Sequence, residues 1–114
     1  MIYYPSMDHA TSHLFARQKL LLLYLMLTKA PSSKLYLVKG LFTVCQEILK
    51  KNVYDFHPYK YGPFSEVLYL DLRLLESRGL IKVDGKNVGI GTVPNELRKK
   101  ILEAYTSQDR KSVV

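Results

Sequence analysis

With a single cysteine, Cys45, the chain can build neither a disulfide framework nor a cysteine zinc site. Cys45 stands among Leu41, Phe42, Val44 and Ile48, so it reads as a buried thiol in a reducing compartment rather than a reactive one. Long apolar runs are scarce as well. The one that occurs, LLLLYLML at residues 20–27, has eight residues, far short of the roughly 20 that span a bilayer. It begins too deep in the chain, and without a small-residue cleavage site, to read as a signal peptide. The expected location is the cytoplasm, with no membrane partner. There is no phosphate-cradling glycine loop either, because GKNVGIG lacks both the Walker spacing and the strand-to-helix setting. Acidic residues are few: ten Asp and Glu stand against seventeen Lys and Arg, a formal charge of +7. Residues 1–60 hold eight of the bases and only three acids. Such a balance favours attraction to nucleic acid or an anionic surface, though plain soluble domains also carry it.

What is present argues for one folded domain. At 114 residues, 47% hydrophobic and 24% charged, the chain can build one modest core and is not a disordered segment. Residues 1–7 form a lead-in, residues 8–106 the domain, and residues 107–114, SQDRKSVV, a flexible tail or the point where a longer chain was cut. Asp8 or Thr11 can cap a helix to about Thr28 whose second half is apolar on every side, which places it at the centre of a bundle or in an interface. After the break at KAPSS, capped by Ser32 or Ser33, Leu37, Val38, Leu41, Phe42, Val44, Cys45, Ile48 and Leu49 share one helical face to Leu49, with a break expected near Gly40. KNVYDFHPYKYGPF, with two prolines and four aromatics at Tyr54, Phe56, Tyr59 and Tyr61 before Phe64, is a structured loop or short extended piece. Ser65 caps the next helix, Gly79 stops it, and Asp84-Gly85 marks a hairpin. A last helix is expected from Pro94 to about Ser107, capped by Thr92, with Leu97, Ile101, Leu102 and Tyr105 inward. The class is mostly α with a small β-hairpin, and the order of elements is that of a winged helix-turn-helix.

Part of this stretch also carries a family resemblance. FHPYKYGPFSEVLYLDLRLLESRGLI, residues 56–81, resembles the signature of the YwgA-like bacterial and archaeal proteins, and more distantly the Panacea antitoxin domain, where a KYGP segment follows two similar helices. RQKLLLLYLML agrees with the helix that opens those domains. The resemblance implies a winged-helix-like module without catalysis. On the Panacea side it implies neutralising a toxin by direct contact.

Helical phase then bears on how such a module would work. Phe64, Val67, Leu68, Leu70, Leu72, Leu74 and Leu75 cover roughly 200° of the third helix, about twice what one-sided docking needs. Counting back from GLI, the positions that commonly face DNA fall on Val67, Leu70, Asp71 and Leu74. Val67, Leu70 and Leu74 offer no donor to a base edge, and Asp71 repels phosphate. Those three apolar residues are therefore candidates for a protein interface, unless the chain's own core covers them. The nucleic-acid candidates are Lys60, Tyr61, Tyr69, Arg73, Lys82 and Lys86, gripping phosphates or stacking on bases, each with the alternative of a solubilising charge or a packed ring. The basic end of the last helix, Arg98, Lys99 and Lys100, belongs to the same group.

Catalytic and metal chemistry find little support. His9 and His13, four apart beside Asp8, lack a visible third ligand, so no metal or other cofactor is expected. Asp55 and His57 are a close acid–imidazole pair with no nucleophile placed beside them by a recognisable motif, and no enzyme activity is expected. The expected function is a nucleic-acid-associated regulator, with double-stranded DNA as a partner, that also pairs as a homodimer or with another protein. The alternative is a protein-interaction module, antitoxin-like or an accessory subunit, that binds no DNA. A single-strand binder using the aromatic loop stands third.

Overall fold

The apolar run becomes the central helix. In the computed structural model, which describes residues 14–28, 31–60 and 62–113 and side chains up to residue 104, α1 (Ala16–Thr28) buries Leu20, Leu21, Leu22 and Leu25. The expected caps at Asp8 and Thr11 lie outside the described residues. Instead the Gln18 side chain turns back to accept from the Phe15 backbone N–H at 3.0 Å, the return half of a capping box.

β1 (Ser32–Ser33) leads into α2 (Lys34–Thr43), which Ser33 caps by accepting from the Tyr36 N–H at 3.1 Å. The helix does not break at Gly40. A Cβ there would collide with the Tyr24 hydroxyl, so glycine serves the close approach of α1 to α2. The departure comes one turn later, where Val44–Leu49 widens into a π-helical turn. Bonding five residues back changes the phase of the chain. Cys45 stays buried and Leu49 packs against the core, but Ile48, expected on the inner face, is 70% exposed. Lys50 closes the turn in the left-handed conformation at φ 56°, and the Lys51 N–H reaches the Cys45 carbonyl at 3.0 Å.

Residues 51–60 and 62–64 are extended and looped, as the prolines favour. β2 (His57–Tyr59) and β3 (Gly62–Phe64) pair antiparallel with His57 opposite Phe64. Asn52 fixes the approach: its side chain accepts from the Phe56 N–H and donates to the Phe56 carbonyl. Tyr54 and Phe56 point into the core, Tyr54 completely.

α3 (Glu66–Ser77) starts at Ser65, whose buried hydroxyl accepts from the Leu68 N–H at 3.0 Å and donates a short hydrogen bond to the Tyr54 carbonyl. It ends as glycine at Gly79 allows. With Gly79 at φ 76°, its N–H bonds the Glu76 carbonyl and the Leu80 N–H bonds the Leu75 carbonyl, the Schellman closure. β4 (Ile81–Asp84) and β5 (Asn87–Ile90) form the expected hairpin with Gly85 at φ 63° in its turn. β1 adds to the outer side of β5, giving the order β1-β5-β4. Gly91 then passes close to the main chain, because a Cβ would stand 2.5 Å from the Gly79 carbonyl oxygen.

α4 (Asn95–Val113) begins with the Arg98 N–H bonded to the Pro94 carbonyl, which puts Pro94 at the cap position and the expected cap Thr92 two residues before it, with its N–H bonded to the Gly79 carbonyl. It continues past the expected end near Ser107. Leu97 and Ile101 are buried as expected, Leu102 is 45% exposed, and the Tyr105 side chain is outside the described residues. Among the described residues this makes a small α+β domain of four α-helices with short antiparallel strands. No described helix is long and apolar enough to cross a membrane.

One polar contact crosses the core. Asp71, which helical phase placed on the outward face of α3, is fully buried. Its carboxylate accepts from Arg17 Nε at 2.7 Å, Arg17 Nη2 at 3.1 Å and Gln18 Nε2 at 3.0 Å. Removing one partner of such a pair leaves an uncompensated charge in the interior. Arg17→Met should therefore lower unfolding stability by about 3–5 kcal/mol, measured by urea denaturation. The double variant Arg17→Met with Asp71→Leu should recover most of that loss; additive losses in the double variant would disprove the coupling.

Candidate nucleic-acid interface

The expected contact residues lie on separate elements. Lys82 is exposed on β4 and Lys86 in the turn before β5, Arg73 is exposed on α3, and Lys60 is exposed between β2 and β3. Tyr61 lies outside the described residues, as do Asp8, His9 and His13. Tyr69 is half-buried: its ring stacks on Phe64 with centroids 5.1 Å apart and planes 26° apart. That contact makes Tyr69 a brace for the β2–β3 hairpin.

Lys86 has a basic neighbour across the sheet, because the Lys34 N–H donates to the Lys86 carbonyl at 2.8 Å and holds the start of α2 against the hairpin turn. Asp84 is two residues from Lys82 on the same side of β4, so the hairpin's charge is mixed. Among the described residues, none of Lys60, Arg73, Lys82 and Lys86 takes part in an ion pair.

On α3 the outward residues are Glu66, Leu70, Arg73, Leu74, Glu76 and Ser77. Leu70 is 48% exposed and Leu74 40%, while Val67 is half-buried against the core. The helix thus divides its wide apolar arc: Leu68, Leu72 and Leu75 enter the core, and Leu70 and Leu74, one turn apart, remain outside. With Asp71 drawn inward, the outer side offers Arg73 as its only base, between two glutamates. Such a face is poorly equipped to read base edges.

The structure adds a feature the sequence did not disclose. A groove of about 700 Å³ opens between the π-helical turn, the loop after it and the β2–β3 hairpin. Phe42, Cys45 and Gln46 form one wall, Phe56, His57, Pro58 and Tyr59 another, and Lys50, Lys51 and Asn52 the end between them. The Lys50-Lys51 doublet before an aromatic, proline-bearing loop was visible in the sequence. The first wall was not, because the π turn sets which residues of that helix face the hairpin.

The groups in and around the groove have defined chemistry. Burial pushes the Cys45 thiol above its ordinary pKa, opposed by backbone hydrogen bonds from Val53 and Tyr54, a shift that favours the thiol over the thiolate. Tyr54 is raised further, first by burial and then by the nearby Asp71 carboxylate. His57 pairs with Glu66 at the start of α3, Nε2 to Oε1 2.8 Å, rather than with Asp55. That hydrogen bond raises the His57 pKa and lowers that of Glu66. Among the described residues, no group of three or more His, Cys, Asp or Glu side chains could hold a metal ion.

The His57–Glu66 pair has a signed pH dependence. With His57 raised and Glu66 lowered, the contact is fully formed between the two pKa values. It is lost as pH rises through the folded His57 pKa or falls through the folded Glu66 pKa. NMR titration should place the His57 midpoint above the ordinary histidine value and return it toward that value in Glu66→Gln; an unmoved midpoint would show that the pair does not form.

Comparison of the chain with protein-family models, with curated proteins and with solved structures finds no match.

Proposed function

We propose that this chain is a non-enzymatic winged-helix module that associates with nucleic acid through phosphate contacts and pairs with itself or another protein through α3. The observation that carries the nucleic-acid reading is the set of cations without ion pairs on the β4–β5 hairpin and its surroundings, on a chain of net charge +7. The winged-helix reading draws support from the sheet order β1-β5-β4, in which a short strand after the first helix joins the outer strand of a hairpin that follows the third. The resemblance of residues 56–81 to YwgA-like and Panacea sequences agrees with it. In this reading β4–β5 is the wing, and α3 stands in the place of a recognition helix without reading base edges.

The composition of α3 argues for position without readout. A duplex held by Lys34, Lys82 and Lys86 is bound by its backbone, and base-edge contacts from Leu70 and Leu74 carry no hydrogen bonds. Exposed leucines one turn apart instead favour a protein contact at the same helix. Regulation would then come from which partner α3 holds while the wing rests on nucleic acid.

Two measurements test the halves of this proposal. Fluorescence anisotropy with a labelled random duplex should show binding at low salt that weakens steeply toward physiological salt. Lys82→Glu with Lys86→Glu should flatten the slope of log affinity against log salt by about two; unchanged affinity would remove the wing from the interface. Leu70→Glu should leave the fold intact, because the side chain is 48% exposed, and should dissociate a dimer or complex seen by light scattering. Unfolding of that variant would mean that Leu70 belongs to the core.

A further inference from the structure

We infer that the groove between the π-helical turn and the β2–β3 hairpin binds unpaired nucleotides of a single strand, with a base stacked on Tyr59 and phosphates at Lys50 and Lys51. The inference rests on the nucleic-acid reading above and names a second site within it, remote from the wing in the order of elements.

The first argument is a column of rings. Tyr69 stacks on Phe64 at 5.1 Å and 26°, and Phe64 packs against Tyr59 at 5.2 Å and 35°. Among the described residues the column ends at Tyr59, which is 57% exposed. Phe64 thus backs the Tyr59 ring, while Tyr59 lines the groove and stays more than half exposed. A planar base added there extends an existing stack without first ordering the side chain that receives it. The Tyr59–Gly62 pairing fixes the backbone that carries the ring.

The second argument is charge. Lys50 and Lys51 are both exposed and line the groove, and no carboxylate lines it among the described residues. The end of the π turn fixes Lys50 in the left-handed conformation and binds the Lys51 N–H, so the backbone of the doublet is set before a ligand arrives. A ligand combining negative charge with flat apolar surface satisfies both walls. An acidic peptide would satisfy the lysines and leave the Tyr59 face unused. Duplex DNA would bring the charge but keep its bases stacked on one another, out of reach of Tyr59. The groove volume of about 700 Å³ falls within the roughly 300–1,000 Å³ of typical small-ligand sites.

The chain has no tryptophan, which supplies the test. In the full chain, Tyr59→Trp introduces a single reporter at the end of the column, and titration with an oligothymidylate should quench its emission as a base stacks on it. In anisotropy, Tyr59→Ala should weaken oligothymidylate binding by about fivefold to a hundredfold and leave duplex binding unchanged. Lys50→Glu with Lys51→Glu should likewise weaken oligothymidylate binding and flatten its salt slope, whereas Lys82→Glu with Lys86→Glu should affect the duplex instead. If the duplex binds but oligothymidylate neither quenches the emission of the Tyr59→Trp variant nor depends on Tyr59, the groove assignment fails while the wing reading stands. Failure of both nucleic acids to bind at low salt would overturn both. Quenching by a polyglutamate peptide in place of the oligonucleotide would reassign the groove to an acidic protein segment and overturn the inference.

Discussion

The carboxylate of Asp71 has no contact with water, and the fold depends on the groups that replace it. A buried carboxylate is tolerable only where donors meet its oxygens. Arg17 and Gln18 supply three hydrogen bonds from α1, with Arg17 also lying over the Phe15 ring at 4.7 Å. The connection runs further. The Tyr54 hydroxyl donates to the Arg17 carbonyl at 3.0 Å, the Tyr54 carbonyl accepts from Ser65, and Ser65 caps the helix that carries Asp71. Polar contacts thus close a circuit from α1 through the aromatic loop to α3 and back. None of the buried side-chain polar atoms described lacks a partner, as a specified core requires.

That circuit positions the proposed nucleic-acid surfaces. Tyr54 and Ser65 pin both ends of the segment that bears the β2–β3 hairpin, and Asn52 holds its approach at Phe56. The hairpin is therefore held as a wall facing the π-helical turn across the groove. Positive φ values at Lys50 and Asp55 mark where the chain is bent to make the groove. Strain of this kind persists only where surrounding contacts over-determine it, and here the buried Cys45, Tyr54 and Phe56 do so. On the other side, β1 ties the start of α2 to the β4–β5 hairpin, so its cations move with the core.

Several features were legible in the residues themselves. Ser33 and Ser65 cap helices, Gly79 stops one and Gly85 turns a hairpin because each of these devices needs only a few neighbouring residues and one backbone conformation. The burial of α1 followed from a helix with no polar side, and that of Cys45 from its apolar surroundings. Where phase alone was used over longer distances it misled. Ile48 faces out because the π turn breaks the 3.6-residue count before it, and Asp71 faces in because Arg17 and Gln18 are there to receive it. Thr92 does not cap α4, because the helix begins at Asn95 and its first hydrogen bond closes on the Pro94 carbonyl, which leaves Thr92 two residues short of the cap position.

The sequence by itself thus determined the local devices: caps, stops, turns, the apolar central helix, and a basic chain with little acid to balance it. The tertiary structure alone decided which outward residues share a surface. Asp71 meets its partners 53 and 54 residues away, and the groove joins a helix end to a hairpin through a change of helical pitch. No short window of residues contains either pairing. Their free energies arise only when distant segments exclude water together, and that can be assessed only once the chain is folded.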